Sequence, residues 1–281
     1  MLLPPKKLLT IYGLKFNPFG PETPNEALVE LEEISTFIWR IENLLTEGGI
    51  ALIAGDPGAG KSAIVRMVEA RLAAMPEVNL AKIERSQSRL TDFYQEIGRA
   101  FDISINPRNR LHSFQRMRDE WRSHITATLH RPVVLIDEAQ FLKDEVLDEL
   151  RMLLSDTLDK RRILVLVLAG DNRLLERLKT PAFAPLDSRI HVKLTVKPRD
   201  EEDMRRILDH TITAAGNPSL MTPGVMEMIV AHSAGNARAM LNLSNNLLYN
   251  AAQRDKAQID EKLFMDVNQP QPRPKTKQGR S

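Results

Sequence analysis

Apolar residues along this chain fall into two rhythms. Ile34, Phe37, Ile38, Ile41, Leu44 and Leu45 recur at helical spacing, and Gly48-Gly49 closes that stripe. "IALIA" (50–54) then reads as a short buried strand running directly into "GDPGAGKS" (55–62). Ile64, Val68, Leu72 and Met75 predict a helix stopped by Pro76, and "VNLAKI" (78–83) predicts a strand. Phe93, Ile97 and Phe101 mark one helix, and Phe114, Met117, Trp121 and Ile125 mark the next. "PVVLID" (132–137) is continuously apolar up to its aspartate. Val146, Leu147, Leu150, Leu153 and Leu154 give a helix after it, and "RILVLVLAG" (162–170) a third buried strand. Ile190, Val192, Leu194 and Val196 alternate as in a half-buried edge strand.

Continuous apolar strands separated by helical stretches predict an α/β fold, with a five-stranded parallel sheet covered on both faces. After about residue 197 the strand rhythm ends. Helical patterns cover 200–215, 222–232 (opened by Thr222-Pro223), 236–253 and a short stretch at 259–267. The expected organisation is an N-terminal segment (1–20), an α/β core (21–197), a helical lid (198–268) and a basic, Pro-rich disordered tail (269–281).

Composition narrows the class. The chain has 281 residues, 42% hydrophobic and 27% charged, with no cysteine, so disulfide frameworks and Cys-based metal sites are excluded. No apolar run is long enough to span a bilayer, and Pro4, Pro5, Lys6 and Lys7 break up any signal-peptide pattern. A cytoplasmic location without membrane contact is the expectation. Net charge is +2, but Arg273, Lys275, Lys277 and Arg280 of the tail account for it, and the remainder carries −2. Nucleic-acid binding would therefore need a local basic patch. The six histidines are scattered without metal-ligand spacing, and Met226, Met228 and Met240 read as core filling.

The chemistry concentrates in two stretches. "GDPGAGKS" matches G-x-x-x-x-G-K-[ST] between a strand and a helix, the phosphate-cradling loop of nucleotide-binding proteins. Gly55, Asp56, Pro57, Gly58, Ala59 and Gly60 form the loop. Its backbone N–H groups and the helix N-terminus, through Ala63, face phosphate oxygens. Lys61 reaches the β- and γ-phosphates, and Ser62 binds Mg²⁺. In "VVLIDEAQ" (133–140), Asp137 at a strand end holds the Mg²⁺ through water, and Glu138 orients and deprotonates an attacking water. Together these predict ATP hydrolysis.

With the phosphate loop and "DEAQ", the stretches "LAGDN", "DSRI" and "GNAR" make residues 10–268 resemble an AAA+ ATPase, with an αβα sandwich core and a helical lid. "YGLKFNPFG", "IDEAQFL" and "AGDNRLLERL" resemble the general secretion pathway protein A-type ATPases, a family that includes ATPase subunits of bacterial transposons. The resemblance implies that Asp171 or Asn172 senses the γ-phosphate, with Asn172 the amide often found there. It implies that Arg189 is an arginine finger inserted into a neighbour's site, and that Arg238 is a lid arginine contacting phosphates in cis. An active site shared between subunits implies a ring or helical homo-oligomer. Tyr12–Phe19 has two readings, as lining of the adenine pocket or as a plug on the core.

The client is less legible. Lys82, Arg85, Arg89, Arg108 and Arg110, followed by Arg116, Arg118 and Arg122, make a local arginine-rich region suited to phosphate contact on double-stranded DNA without base reading. The leading expectation is an ATPase that oligomerises on target DNA and recruits and regulates a transposase. A secretion-pathway ATPase, a replication initiator or helicase loader, and a nucleotide-gated scaffold compete with it. The secretion branch carries a membrane span and a cell-wall-binding region, initiators often carry a DNA-reading domain, and neither pattern occurs in these 281 residues.

Overall fold

The computed structural model describes residues 5–83, 89–106, 108–156 and 161–268. In chain order the elements are α1 (Pro5–Tyr12), α2 (Glu32–Glu47), β1 (Gly49–Gly55), α3 (Lys61–Ala73), β2 (Leu80–Ile83), α4 (Leu90–Ala100), α5 (Arg110–Thr128) and β3 (Val133–Ile136). There follow α6 (Asp144–Leu153), β4 (Ser155–Asp156), β5 (Arg161–Arg162), β6 (Val165–Gly170), α7 (Asn172–Leu178), α8 (Ala184–Asp187) and β7 (Ile190–Val196). The last four helices are α9 (Glu201–Ala214), α10 (Pro223–Ser233), α11 (Ala237–Gln253) and α12 (Glu261–Asn268). The chain forms two compact units, Glu30–Arg199 and the two chain ends Met1–Val29 with Asp200–Ser281.

The first unit is the predicted α/β fold. Its five strands run parallel in the order β2-β3-β6-β1-β7. Every residue of β1, β3 and β6 is buried, as strands covered on both faces require. Ile50, Leu52, Val134, Ile136, Leu166 and Leu168 share one cluster with Phe93, Ile97, Met117, Trp121 and Leu150 from α4, α5 and α6. Residues alternating with these, such as Ala51, Ile53, Leu135 and Val167, are buried too, and α2 and α3 pack together beside the sheet. The alternating β7 lies at the sheet edge, with only every second residue buried along most of its length.

The third apolar run divides in two. Arg161–Arg162 pairs antiparallel with Ser155–Asp156, and the sheet strand begins at Val165. Similarly "VNLAKI" pairs only from Leu80.

The second unit is helical. Leu208, Ile212, Val225, Met226, Ile229, Met240, Leu247 and Leu248 form its core. Leu8, Tyr12, Leu14 and Phe19 from the chain start are buried in that same cluster. Tyr12 Oη donates to Lys256 O at 2.9 Å, and burial pushes its hydroxyl up to about 12. Thr222 caps α10 by accepting from Val225 N, with Pro223 at the first helical position.

Candidate nucleotide site

Parallel strands end on one edge of a sheet, and in open α/β folds ligands bind at the carboxyl edge. Here the register aligns Ile136 with Leu168 and Gly170 with Ala54. The phosphate loop after β1, the Asp137-Glu138 pair after β3 and the Asp171-Asn172 pair after β6 therefore emerge side by side. β3 and β1 flank β6, so their ends lie about 10 Å apart. That span accommodates a phosphate group between loop and carboxylates.

The loop's glycines are needed for geometry. A Cβ on Gly55 would lie 2.4 Å from Val196 O, so only glycine lets β1 end this close to β7. Gly60, at φ 103°, holds the left-handed turn from which α3 starts. Lys61 is buried, and its Nζ donates to Gly55 O and Asp56 O, each at 3.0 Å. This curls the lysine back over the loop, where an ammonium can meet phosphate oxygens. Gly58 and Ala59 are buried, whereas Asp56, Pro57 and Ser62 are exposed and Gly60 and Ala63 half-buried.

Asp137 is half-buried, and its Oδ1 accepts from Glu138 N at 2.8 Å. Glu138 is exposed and adopts the left-handed conformation (φ 54°, ψ 37°), which costs a non-glycine residue about 1 kcal/mol or more. Gln140 Nε2 donates to Glu138 Oε2, and Gln140 Oε1 accepts from Asp171 N at 3.2 Å. The donor set offered to a cation is a hydroxyl and a carboxylate; with phosphate oxygens and water it suits the hard, oxygen-seeking Mg²⁺, which Ser62 and Asp137 would hold. Among the described residues no cluster of three or more His, Asp or Glu forms an all-protein metal cage.

The two residues after β6 do different work. Asp171 caps α7 by accepting from Arg173 N at 2.9 Å and pairs with the Arg173 guanidinium at 2.6 Å. That hydrogen bonding holds its carboxyl below the usual range against burial, and nearby Lys61 acts in the same direction. Asn172 faces the phosphate loop, its Nδ2 donating to Asp56 Oδ1 at 2.7 Å. Arg173 also lies over the Phe141 ring at 5.0 Å. Arg177 donates to Leu142 O at 2.6 Å and Gln140 O at 3.3 Å and pairs with Asp144. Sequence reasoning did not single out Gln140, Arg173 or Arg177; the one available signal for Arg173 was the Asp-x-Arg spacing at a helix start.

Arg189 is half-buried and donates to Pro185 O. It precedes β7, whose first residue aligns with Ile50 near the start of β1, while the phosphate loop follows the other end. Five residues of strand separate the two levels, about 17 Å, farther than an arginine reaches. Arg238 is exposed in the first turn of α11, whose N-cap Asn236 accepts from Ala239 N.

Of the basic candidates, Lys82 pairs with Glu69 at 2.7 Å, Arg116 with Glu120 at 2.6 Å and Arg122 with Asp119 at 2.8 Å. Arg110 is bound differently. Its Nε donates at 3.0 Å to Glu149, a buried carboxylate that also accepts from Tyr94 Oη. Arg89 and Arg108 are exposed, whereas Arg85 and the tail lie outside the described residues.

An α/β sheet of this order with its phosphate loop defines a P-loop AAA+ fold. Residues 44–178 match the protein family described as AAA domain. General secretion pathway protein A of Aeromonas hydrophila is 27% identical over 237 residues, covering 83% of this chain. The chain spans 42% of that relative's length. Among solved structures, the Aeropyrum pernix ORC2 protein in ADPNP-ADP complexes superposes with TM-score 0.68 at 18% identity, covering 89% of this chain and 70% of that one. Drosophila ORC bound to DNA gives 0.69 at 16%, covering 93% and 65%. Among the described residues no helix is long and apolar enough to cross a membrane.

Proposed function

We propose that the carboxyl edge of the sheet hydrolyses ATP with Mg²⁺, and that the nucleotide state controls self-assembly on double-stranded DNA. The observation that carries the hydrolysis is the convergence of Lys61, Asp137, Glu138 and Asn172 at one sheet edge. Lys61 neutralises β- and γ-phosphate oxygens. Ser62 and Asp137 hold the cation, which screens the charge developing on the phosphates. Glu138 accepts a proton from the attacking water. Asn172 is the γ-phosphate sensor: it faces the loop, whereas the Asp171 carboxylate is engaged in capping α7 and pairing with Arg173.

Arg189 supports assembly. It stands at the opposite end of the sheet from its own phosphate loop, so a role on the γ-phosphate requires a neighbour's site. The DNA face comprises Lys82, Arg89 and Arg108. The Lys82 ion pair is exposed, and such pairs contribute only about 0–1 kcal/mol, so phosphates can replace it. The client proposed is a transposase, on the resemblance to transposon ATPase subunits. The secretion relative favours a second reading, in which the same ATPase acts without DNA.

Electron microscopy with ADPNP, with and without duplex DNA, tests the assembly. Rings or filaments that require ADPNP and are promoted by DNA are expected. Particles that stay monomeric under every condition contradict the proposal, and DNA-indifferent assembly favours the secretion reading. Direct binding of the transposase to the ADPNP–DNA assembly tests the client.

A further inference from the structure

The Glu138 carboxylate does not stand alone, and its partner reaches across to another strand end. Gln140 presents two chemically opposite ends, an N–H donor and a carbonyl acceptor. A backbone N–H can only donate, so Asp171 N at 3.2 Å fixes the carbonyl end toward β6. The amide nitrogen is thereby left facing Glu138 Oε2, to which it donates. Gly170 makes room for this: a Cβ there would lie 2.9 Å from Gln140 Oε1. The residue after Asp171 is Asn172, whose amide is hydrogen-bonded to Asp56 of the phosphate loop.

We propose that Gln140 is a positioning residue that holds the Glu138 carboxylate and couples it to the γ-phosphate-reading end of β6. It rests on the reading of Glu138 as the base for ATP hydrolysis. A continuous polar path runs from Asp56 through Asn172 and the Asp171 backbone to Gln140 and Glu138. When Asn172 leaves Asp56 for a phosphate oxygen, the Asp171 N–H moves with it, and Gln140 shifts the carboxylate. Gln140 itself contacts neither nucleotide nor water in the reaction; it acts through Glu138.

Two variants separate its two ends. Gln140→Glu keeps an acceptor for Asp171 N but loses the donor to Glu138, and Gln140→Met removes both. In the full-length protein both are expected to lower kcat about 10- to 100-fold, the cost of a misplaced reacting group. ATP affinity, read by a fluorescent ATP analogue, and the melting temperature of Gln140→Glu should stay near wild type. The deciding readout is a double-mutant cycle followed by release of radiolabelled phosphate. In a Glu138→Gln background, the Gln140 substitutions should cost less than about twofold further. If Gln140→Met does not fold, Gln140→Glu decides the question. Wild-type kcat in Gln140→Glu, or a full additional loss in the Glu138→Gln background, overturns the proposal. Absence of turnover in the wild type removes the hydrolysis reading itself, an outcome distinct from active Gln140 variants beside an active wild type.

Discussion

The carboxyl edge of the sheet and the basic flank of α4 and α5 are both rich in charge, and they use it in opposite ways. At the sheet edge, polar groups from three strand ends converge, and Glu138 sits in a left-handed turn that costs stability. Gln140 bonds across to Asp171 N and Asn172 across to Asp56, so the strained turn stands within polar contacts that tie three strand ends together. On the flank, the densest arginine run is largely answered by acids of its own fold. Arg110 binds the buried Glu149, and Arg116 and Arg122 pair with Glu120 and Asp119. Clustered charge in a sequence therefore marks a ligand site only when the fold leaves that charge aimed at something other than itself.

Glu149→Ala removes the acceptor of two donors and opens a hole where α4, α5 and α6 meet. It should lower unfolding free energy by about 2–3 kcal/mol in urea denaturation without lowering ATP affinity. A variant as stable as wild type would mean that the buried carboxylate contributes nothing. Arg110→Ala, which leaves Glu149 without its cation, should cost about 1–2 kcal/mol, less because that guanidinium is largely exposed. Its effect on DNA affinity should be smaller than that of Arg108→Ala. The latter should leave stability unchanged and reduce the slope of log K against log salt by about 1. Equal salt slopes in the two variants would erase the distinction between a structural and a DNA-facing arginine.

The same contrast explains what the sequence disclosed. The glycine loop and the Asp137-Glu138 strand end were legible because each is a local pattern: eight consecutive residues make the first, and an acidic pair closing an apolar run makes the second. The three central strands were legible because burial on both faces leaves apolar runs, and β7 because an edge strand leaves an alternation. Glu149 was not, since within Val146, Leu147 and Leu150 it occupies what looks like a polar helical position. Its burial depends on Tyr94 and Arg110, 55 and 39 residues away. Gln140 was invisible for the same reason: its acceptor end meets a backbone N–H 31 residues on, and backbone groups leave no sequence signature. At the chain start the residues leave Tyr12–Phe19 with two readings, lining of the adenine pocket or a plug on the core, and predict no particular element. The chain start is helical at Pro5–Tyr12, and the Tyr12–Lys256 hydrogen bond spans 244 positions, which no local pattern reports.

The central claim is that the carboxyl edge is a hydrolytic centre in which Glu138 acts as base. Single-turnover phosphate release from radiolabelled ATP and Mg²⁺, compared between wild type and Glu138→Gln, tests it most directly. The account predicts phosphate release by the wild type, and a variant that binds ATP equally well but releases phosphate about 100-fold or more slowly. Equal release rates in the two proteins would contradict it.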